Sequence, residues 1–122
     1  MLIGSIGTGG TGPVSSEALL VLTTCANAQE AADLATVLVD QRLAACVSAV
    51  AGVVSTYRWQ SRVQHDEEVL VVIKTTQARY EAIEKFIQKQ TSNELPEILA
   101  VPVHSGSSEY LKWLTASVSS EE

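Results

Sequence analysis

Leu43-Ala44-Ala45-Cys46-Val47 runs without a turn signal into a polar–apolar strand that ends Ser55-Thr56-Tyr57-Arg58-Trp59. The stretch reads as a helix exit feeding a strand of roughly fourteen residues, where a typical strand has about five or six. At about 3.3 Å per residue that strand reaches roughly 45 Å. A compact domain of this size has a radius of gyration near 13 Å, to order of magnitude. Such a ribbon must bend, or leave its own domain and lie on something else. That points to an oligomer before any function is considered.

Working outward, Ala18-Leu19-Leu20-Val21-Leu22-Thr23-Thr24 is a continuous apolar run ending in threonines and reads as a buried strand. Asn27, with Glu30 three residues on, marks a helix start. Ala31, Leu34, Ala35 and Leu38 recur at helical spacing, and the helix is expected to end near Leu43. Gly52 marks a bulge or bend in the long strand, and Gln60-Ser61-Arg62 makes a turn. Val69-Leu70-Val71-Val72-Ile73-Lys74-Thr75 is the return strand. Thr76 caps a second helix with Tyr80, Ile83 and Ile87 on one face, and Asn93-Glu94-Leu95-Pro96 breaks it. Ile98-Leu99-Ala100-Val101-Pro102-Val103 is a fourth strand, with Pro102 placing it at an edge or a bulge. Ser107 or Ser108 caps a last helix with Leu111, Leu114 and Val118 on one face.

The order β-α-β-β-α-β-α predicts an α+β fold, the ferredoxin-like split βαβ sandwich with a long ribbon between the second and third strands and an extra C-terminal helix. Two helices cover one face of such a sheet, so the other should be polar and the strands should alternate. Leu19 to Leu22 and Val69 to Ile73 are instead apolar at every position. Both faces are therefore apolar, and the last helix is too short to cover four strands. Neighbouring subunits are expected to cover the open face.

One hundred and twenty-two residues make one domain with a single core. A net charge of −6 argues against a nucleic-acid partner. Charged residues are 18%, below the roughly 25% of an average soluble protein, which also points to covered surface. Cys25 and Cys46 form no CxxC or zinc-like pattern, consistent with a reducing cytosol. Residues 1 to 16 hold five of the seven glycines and read as a flexible tail, with the folded domain at 17–119. The tail lacks the basic and apolar regions of a signal peptide, and no segment reads as a membrane span. Gly7-Thr8-Gly9-Gly10-Thr11-Gly12 superficially looks like a phosphate loop, but no strand precedes it and no Gly-Lys-Thr follows.

Taken in order, Leu43-Ala44-Ala45-Cys46-Val47, Ser55-x-Tyr57-x-Trp59, Glu67-Glu68, Ile73-Lys74-Thr75, Pro96-Glu97-Ile98 and Tyr110-x-x-Trp113 resemble the CutA family, small cytosolic proteins associated with divalent-cation tolerance. The resemblance covers roughly residues 17 to 116. Each motif alone is weak; six in order are specific. It implies a homotrimer with interlocked ribbons, an architecture similar to PII-type signalling proteins that bind small ligands between subunits. It also implies a cation site. Copper-binding relatives carry a cysteine at the end of the first strand and one or two histidines just before a Pro-Tyr. Those positions fall here on Thr23, Gln90 and Thr91, with Ser92-Asn93 for Pro-Tyr. Hydroxyl and amide are poor copper ligands beside thiolate and imidazole, so weak metal binding is expected. Two further departures are Ser48 for the usual asparagine and Ser61 for the usual turn glycine.

Among candidate metal ligands, Cys46 also reads as a packed thiol. Cys25, expected in the strand-to-helix loop, lacks a second soft ligand. His65-Asp66-Glu67-Glu68 could take a divalent cation weakly, or could be a solvated ribbon end whose charges protect the edge. His104 falls in the loop before the last helix. Lys74 interrupts a buried strand and needs a partner. Glu68 lies about 20 Å along the same side of the strand, so a carboxylate such as Glu97, or an anionic ligand in an intersubunit cleft, is expected instead. Tyr57 and Trp59 share a face of the ribbon and, with Trp113, read as interface anchors.

No catalytic constellation emerges. Acylphosphatases share the split βαβ fold but need an arginine after the first strand, where this chain has Thr23-Thr24-Cys25-Ala26-Asn27. A nucleophilic Cys46 would need a base, and neither His65 nor His104 falls near it. The expectation is a non-enzymatic trimer needing no cofactor, with at most a weakly bound divalent cation. The alternative is a sensor or adaptor taking a small anion or a partner protein between subunits.

Overall fold

A computed structural model describes residues 17–119. The 1–16 tail lies outside the described residues. The elements are β1 (Ala18–Cys25), α1 (Ala28–Asp40), β2 (Cys46–Trp59), β3 (Arg62–Thr76), α2 (Gln77–Gln90), β4 (Leu99–Pro102) and α3 (Ser108–Ser117). The four strands form one antiparallel sheet in the order β2-β3-β1-β4, the ferredoxin-like arrangement.

Local chemistry sets the ends of these elements. Asn27 caps α1, its side chain accepting from the Glu30 amide at 2.9 Å, while Glu30 Oε1 accepts from the Ala26 amide at 3.1 Å. The helix stops at Asp40, three residues before the expected end, because the chain turns left-handed at Arg42 (φ 59°). Arg42 N then donates to Val39 O and Leu43 N to Leu38 O, so the last carbonyls are satisfied. Ser107 caps α3, accepting from the Tyr110 amide at 3.1 Å. Thr76 precedes α2 with extended backbone but makes no side-chain cap, so that expectation is half met.

The ribbon is as long as its sequence implies, fourteen residues outward and fifteen back. Its register shifts between Val50 and Val53, where Gly52 takes φ 77°. This is a bulge that only glycine accommodates without strain. Gln60 and Ser61 both have positive φ at the turn, 53° and 67°.

Strand alternation divides the sheet. Leu19, Val21, Thr23 and Cys25 of β1 and Val69, Val71, Ile73 and Thr75 of β3 are buried. Most of them form, with Ala31, Leu38, Ile83 and Ile87, the core beneath α1 and α2. The intervening residues face the other way. Leu20, Leu22, Leu70 and Val72 are half-buried, and Val50, Leu99 and Val101 are exposed. Helix α3 reaches only one end of this open face, where Leu114 and Val118 pack on Ala45 and Ala18. Among the described residues, no element covers the middle of the face. Strand β4 is a four-residue edge, exposed throughout, with Pro102 at its end.

Candidate functional site

Three places gather the chemistry. The first is the Lys74 side chain on the open face. Cys46 pairs with Lys74 across the β2–β3 ladder, and Ser48 pairs with Val72, so Lys74, Cys46 and Ser48 share that face. Lys74 Nζ donates to Ser48 Oγ at 2.6 Å and approaches Cys46 Sγ at 3.7 Å. The expected Glu97 partner is not used within the chain. Glu97 precedes β4 and lines the cleft beside Tyr57 and Asp66 instead. Among the described residues the half-buried ammonium is thus held by a hydroxyl and a thiol and not by a carboxylate. The segment feeding β2 is pinned beside it: Ala45 N donates to Lys74 O at 2.8 Å and Thr75 Oγ1 to Leu43 O at 2.6 Å.

The second is a cleft of about 240 Å³ on the helix-covered side. Thr23 and Cys25 line it from β1, Glu30, Asp33, Leu34 and Val37 from α1, and Phe86, Ile87, Gln90 and Thr91 from the end of α2. It therefore collects the three positions to which the family resemblance assigned metal ligands, Thr23, Gln90 and Thr91. Cys25 is not in the loop, as expected, but is the last residue of β1 and 92% buried, because the strand continues one step past its apolar run. Two residues after Thr23, it points to the same side. Burial, and then the nearby Glu30 and Glu68 carboxylates, push its thiol pKa up, which keeps the sulfur protonated and a poor ligand. A hydroxyl, an amide and a neutral thiol do not fit copper. Among the described residues no three His, Cys, Asp or Glu side chains are placed to hold a metal ion.

The third is a wider cleft of about 560 Å³ between the ribbon and the loop before β4. Tyr57 and Trp59 line it as expected of a shared face, with Asp66, Glu68, Leu95 and Glu97. The Tyr57 hydroxyl donates to Asp66 Oδ2, and this bond is the main reason its pKa is raised. Thr24 Oγ1 donates to Glu68 Oε2 at 3.5 Å.

The structure does not bring His65, Asp66, Glu67 and Glu68 together. Successive strand residues face opposite ways: Asp66 and Glu68 turn toward the ribbon cleft, while His65 Nδ1 lies 3.1 Å from Thr56 Oγ1 on the other side. Contiguity in the sequence hid this; applying the period of two to those four letters would have shown it. Trp113 stacks against Tyr110 with ring centroids 5.4 Å apart, and both remain exposed on α3, at 48% and 43%. His104, exposed in the loop after β4, meets Ser105 Oγ at 2.9 Å.

A helix-backed antiparallel sheet of order β2-β3-β1-β4, with a long bulged ribbon and a short third helix, defines a ferredoxin-like α+β protein. A family model described as CutA1 divalent ion tolerance protein matches residues 19–117. The chain belongs to that family. The divalent-cation tolerance protein CutA of Thermus thermophilus is 40% identical over 95 residues, 78% of this chain and 92% of that protein. A chloroplastic CutA of Arabidopsis thaliana is 38% identical over 96 residues, 79% of this chain. The chain spans only 53% of that plant relative and 59% of the mouse CutA. The crystal structure of CutA from Xylella fastidiosa matches with a TM-score of 0.82 at 36% identity, covering 84% of this chain and 99% of that one. No helix among the described residues is long and apolar enough to cross a membrane.

Proposed function

We propose that this CutA-family protein works as a non-enzymatic cytoplasmic homotrimer serving divalent-cation tolerance, with no required cofactor and only weak cation binding through acidic or backbone oxygens. The observation that carries the assembly is the open sheet face. Leu20, Leu22, Leu70 and Val72 lie half-buried beside exposed Leu99 and Val101, and α3 is too short to cover them. Contiguous apolar surface of this kind marks an interaction site. Weak cation binding follows from Thr23, Gln90 and Thr91 standing where soft ligands would be needed.

Native mass spectrometry of protein purified without chelator or affinity metal tests both parts. Three chains are expected, and a bare monomer overturns the assembly. Copper titration is expected to show no submicromolar site; one that Cys46→Ser abolishes would overturn the weak-binding reading.

A second reading is favoured by one observation. Lys74 sits half-buried on the open face with, among the described residues, Ser48 and Cys46 as its side-chain partners, leaving its charge available to a small anion or an acidic group of a partner in a PII-like intersubunit cleft. Lys74→Met distinguishes the cases. Loss of a co-purified anion with an intact trimer supports the sensor. Dissociation of the trimer makes Lys74 structural.

A further inference from the structure

We infer that the cleft between α1 and α2 is a binding site for a small organic ammonium ion with an apolar body. This goes beyond the proposed function and does not depend on the trimer. The cleft lies on the helix-covered side of the sheet, away from the open face.

Two features of the lining select that ligand. The first is the apolar wall. Leu34 and Val37 of α1 face Phe86 and Ile87 of α2, so the helices flank a groove that their own side chains leave unfilled. At about 240 Å³, and roughly 30 Å³ per water, it takes on the order of eight water volumes, enough for a ligand of about that many heavy atoms. Largely apolar concavities with a few placed polar groups are the usual form of small-ligand sites.

The second is the sign of the polar groups. Glu30 and Asp33 stand one turn apart on the same side of α1 and both line the cleft. Neither carboxylate is paired with a cation among the described residues. Glu30 Oε1 accepts from the Ala26 amide and Oε2 from Ser92 Oγ at 3.4 Å. Among the described residues, Asp33 accepts from Gln29 Nε2, at 2.9 Å through Oδ1. Gln90 and Thr91 complete the polar side with groups that can accept from an N–H. Burial is the main reason the Cys25 pKa is raised, and the Glu30 carboxylate adds to it. A primary ammonium placed between Glu30 and Asp33, with its carbon body against Leu34 and Phe86, satisfies both features. A carboxylate or phosphate would meet like charge.

Calorimetric titration of the full chain with phenethylamine, alongside 3-phenylpropionate and 2-phenylethanol as size-matched anion and neutral, tests the site. Saturable binding of the amine at one per chain is expected, and the other two should not saturate. The Glu30→Gln/Asp33→Asn double variant should lose about tenfold in affinity, and Gln at position 30 keeps an acceptor for the Ala26 amide. A readout that needs no variant runs in parallel. On addition of the amine, amide chemical shifts should move for residues that line the cleft, such as Leu34, Phe86 and Thr91, and stay put along the ribbon. Amine binding absent, equal to that of the anion or the alcohol, or without shifts in the cleft, overturns the assignment.

Discussion

The two faces of one sheet are built from the same strands and differ only in which residue of each pair they display. Under α1 and α2, Val21, Val71 and Ile73 are 0% exposed. One position along, Leu22 and Val72 are apolar too, yet only half-buried, with no described element packed over them. The first face closes a core by itself, and the second is a core with one wall missing. Burying apolar surface contributes about 25 cal/mol per Å², so selection for folding alone would not keep leucines and valines on a face that water reaches. The comparison teaches that the chain carries two kinds of apolar surface, one packed into its own core and one that no described element covers, which is the surface the proposed assembly would use.

The largest effect should come from the closed face. Ile73→Ala leaves a cavity among Val21, Leu38 and Ile83 and is expected to cost about 2–5 kcal/mol in chemical denaturation, a large share of a typical 5–15 kcal/mol stability. A loss under ~1 kcal/mol would mean that this face is not the independent core described. Next comes the open face. Leu22→Asp sets a carboxylate between Val72 and Leu99. Since Leu22 is only half-buried in the single chain, circular dichroism should show an intact fold, while light scattering shows a drop from the proposed three chains to one. Retention of the trimer by this variant would break the comparison, because the open face would then have no partner to lose.

Both faces were legible in the letters. Leu19 to Leu22 and Val69 to Ile73 cannot alternate, and no later segment is long enough to cover what they leave bare. The long ribbon was equally plain, because no turn signal interrupts it before Gln60. What stayed hidden depended on register or on one strand step. Ser48 meets Lys74 across 26 positions of sequence, and which β2 residue lies beside Lys74 is fixed by a ladder that shifts again at Gly52. A sequence reading could see that the lysine wanted a partner but not that a hydroxyl and a thiol would serve. Cys25 was misplaced for a smaller reason. Threonines at 23 and 24 looked like a strand end, whereas β-branched residues extend a strand as readily as they finish one. The helix-side cleft needed the fold, since it draws on β1, α1 and the end of α2 together.

A third variant separates local from assembled stability. Asn27→Ala removes the acceptor of the Glu30 amide and should cost about 1 kcal/mol, read as a lower denaturation midpoint with the trimer unchanged. The cap lies at the start of α1, on the closed side. If its removal weakened assembly as well, folding and association would be one event, and the two faces could not be assigned separate roles.

The smallest expected change is a gain. Gln60 and Ser61 both hold positive φ at the ribbon turn, a conformation disfavoured by roughly 1–2 kcal/mol per non-glycine residue. Glycine at 61 relieves that strain and gives back part of the relief through the extra freedom of the unfolded chain, about 0.5–1 kcal/mol. Ser61→Gly should therefore stabilise by at most ~1.5 kcal/mol. Ser61 lies at the turn, beyond the buried part of either sheet face. If the gain appears in the single-chain Leu22→Asp background at the same size as in wild type, the turn acts locally. If it appears only in the trimer, the ribbon tip is itself held by a neighbour, and the open surface extends along the ribbon to its end.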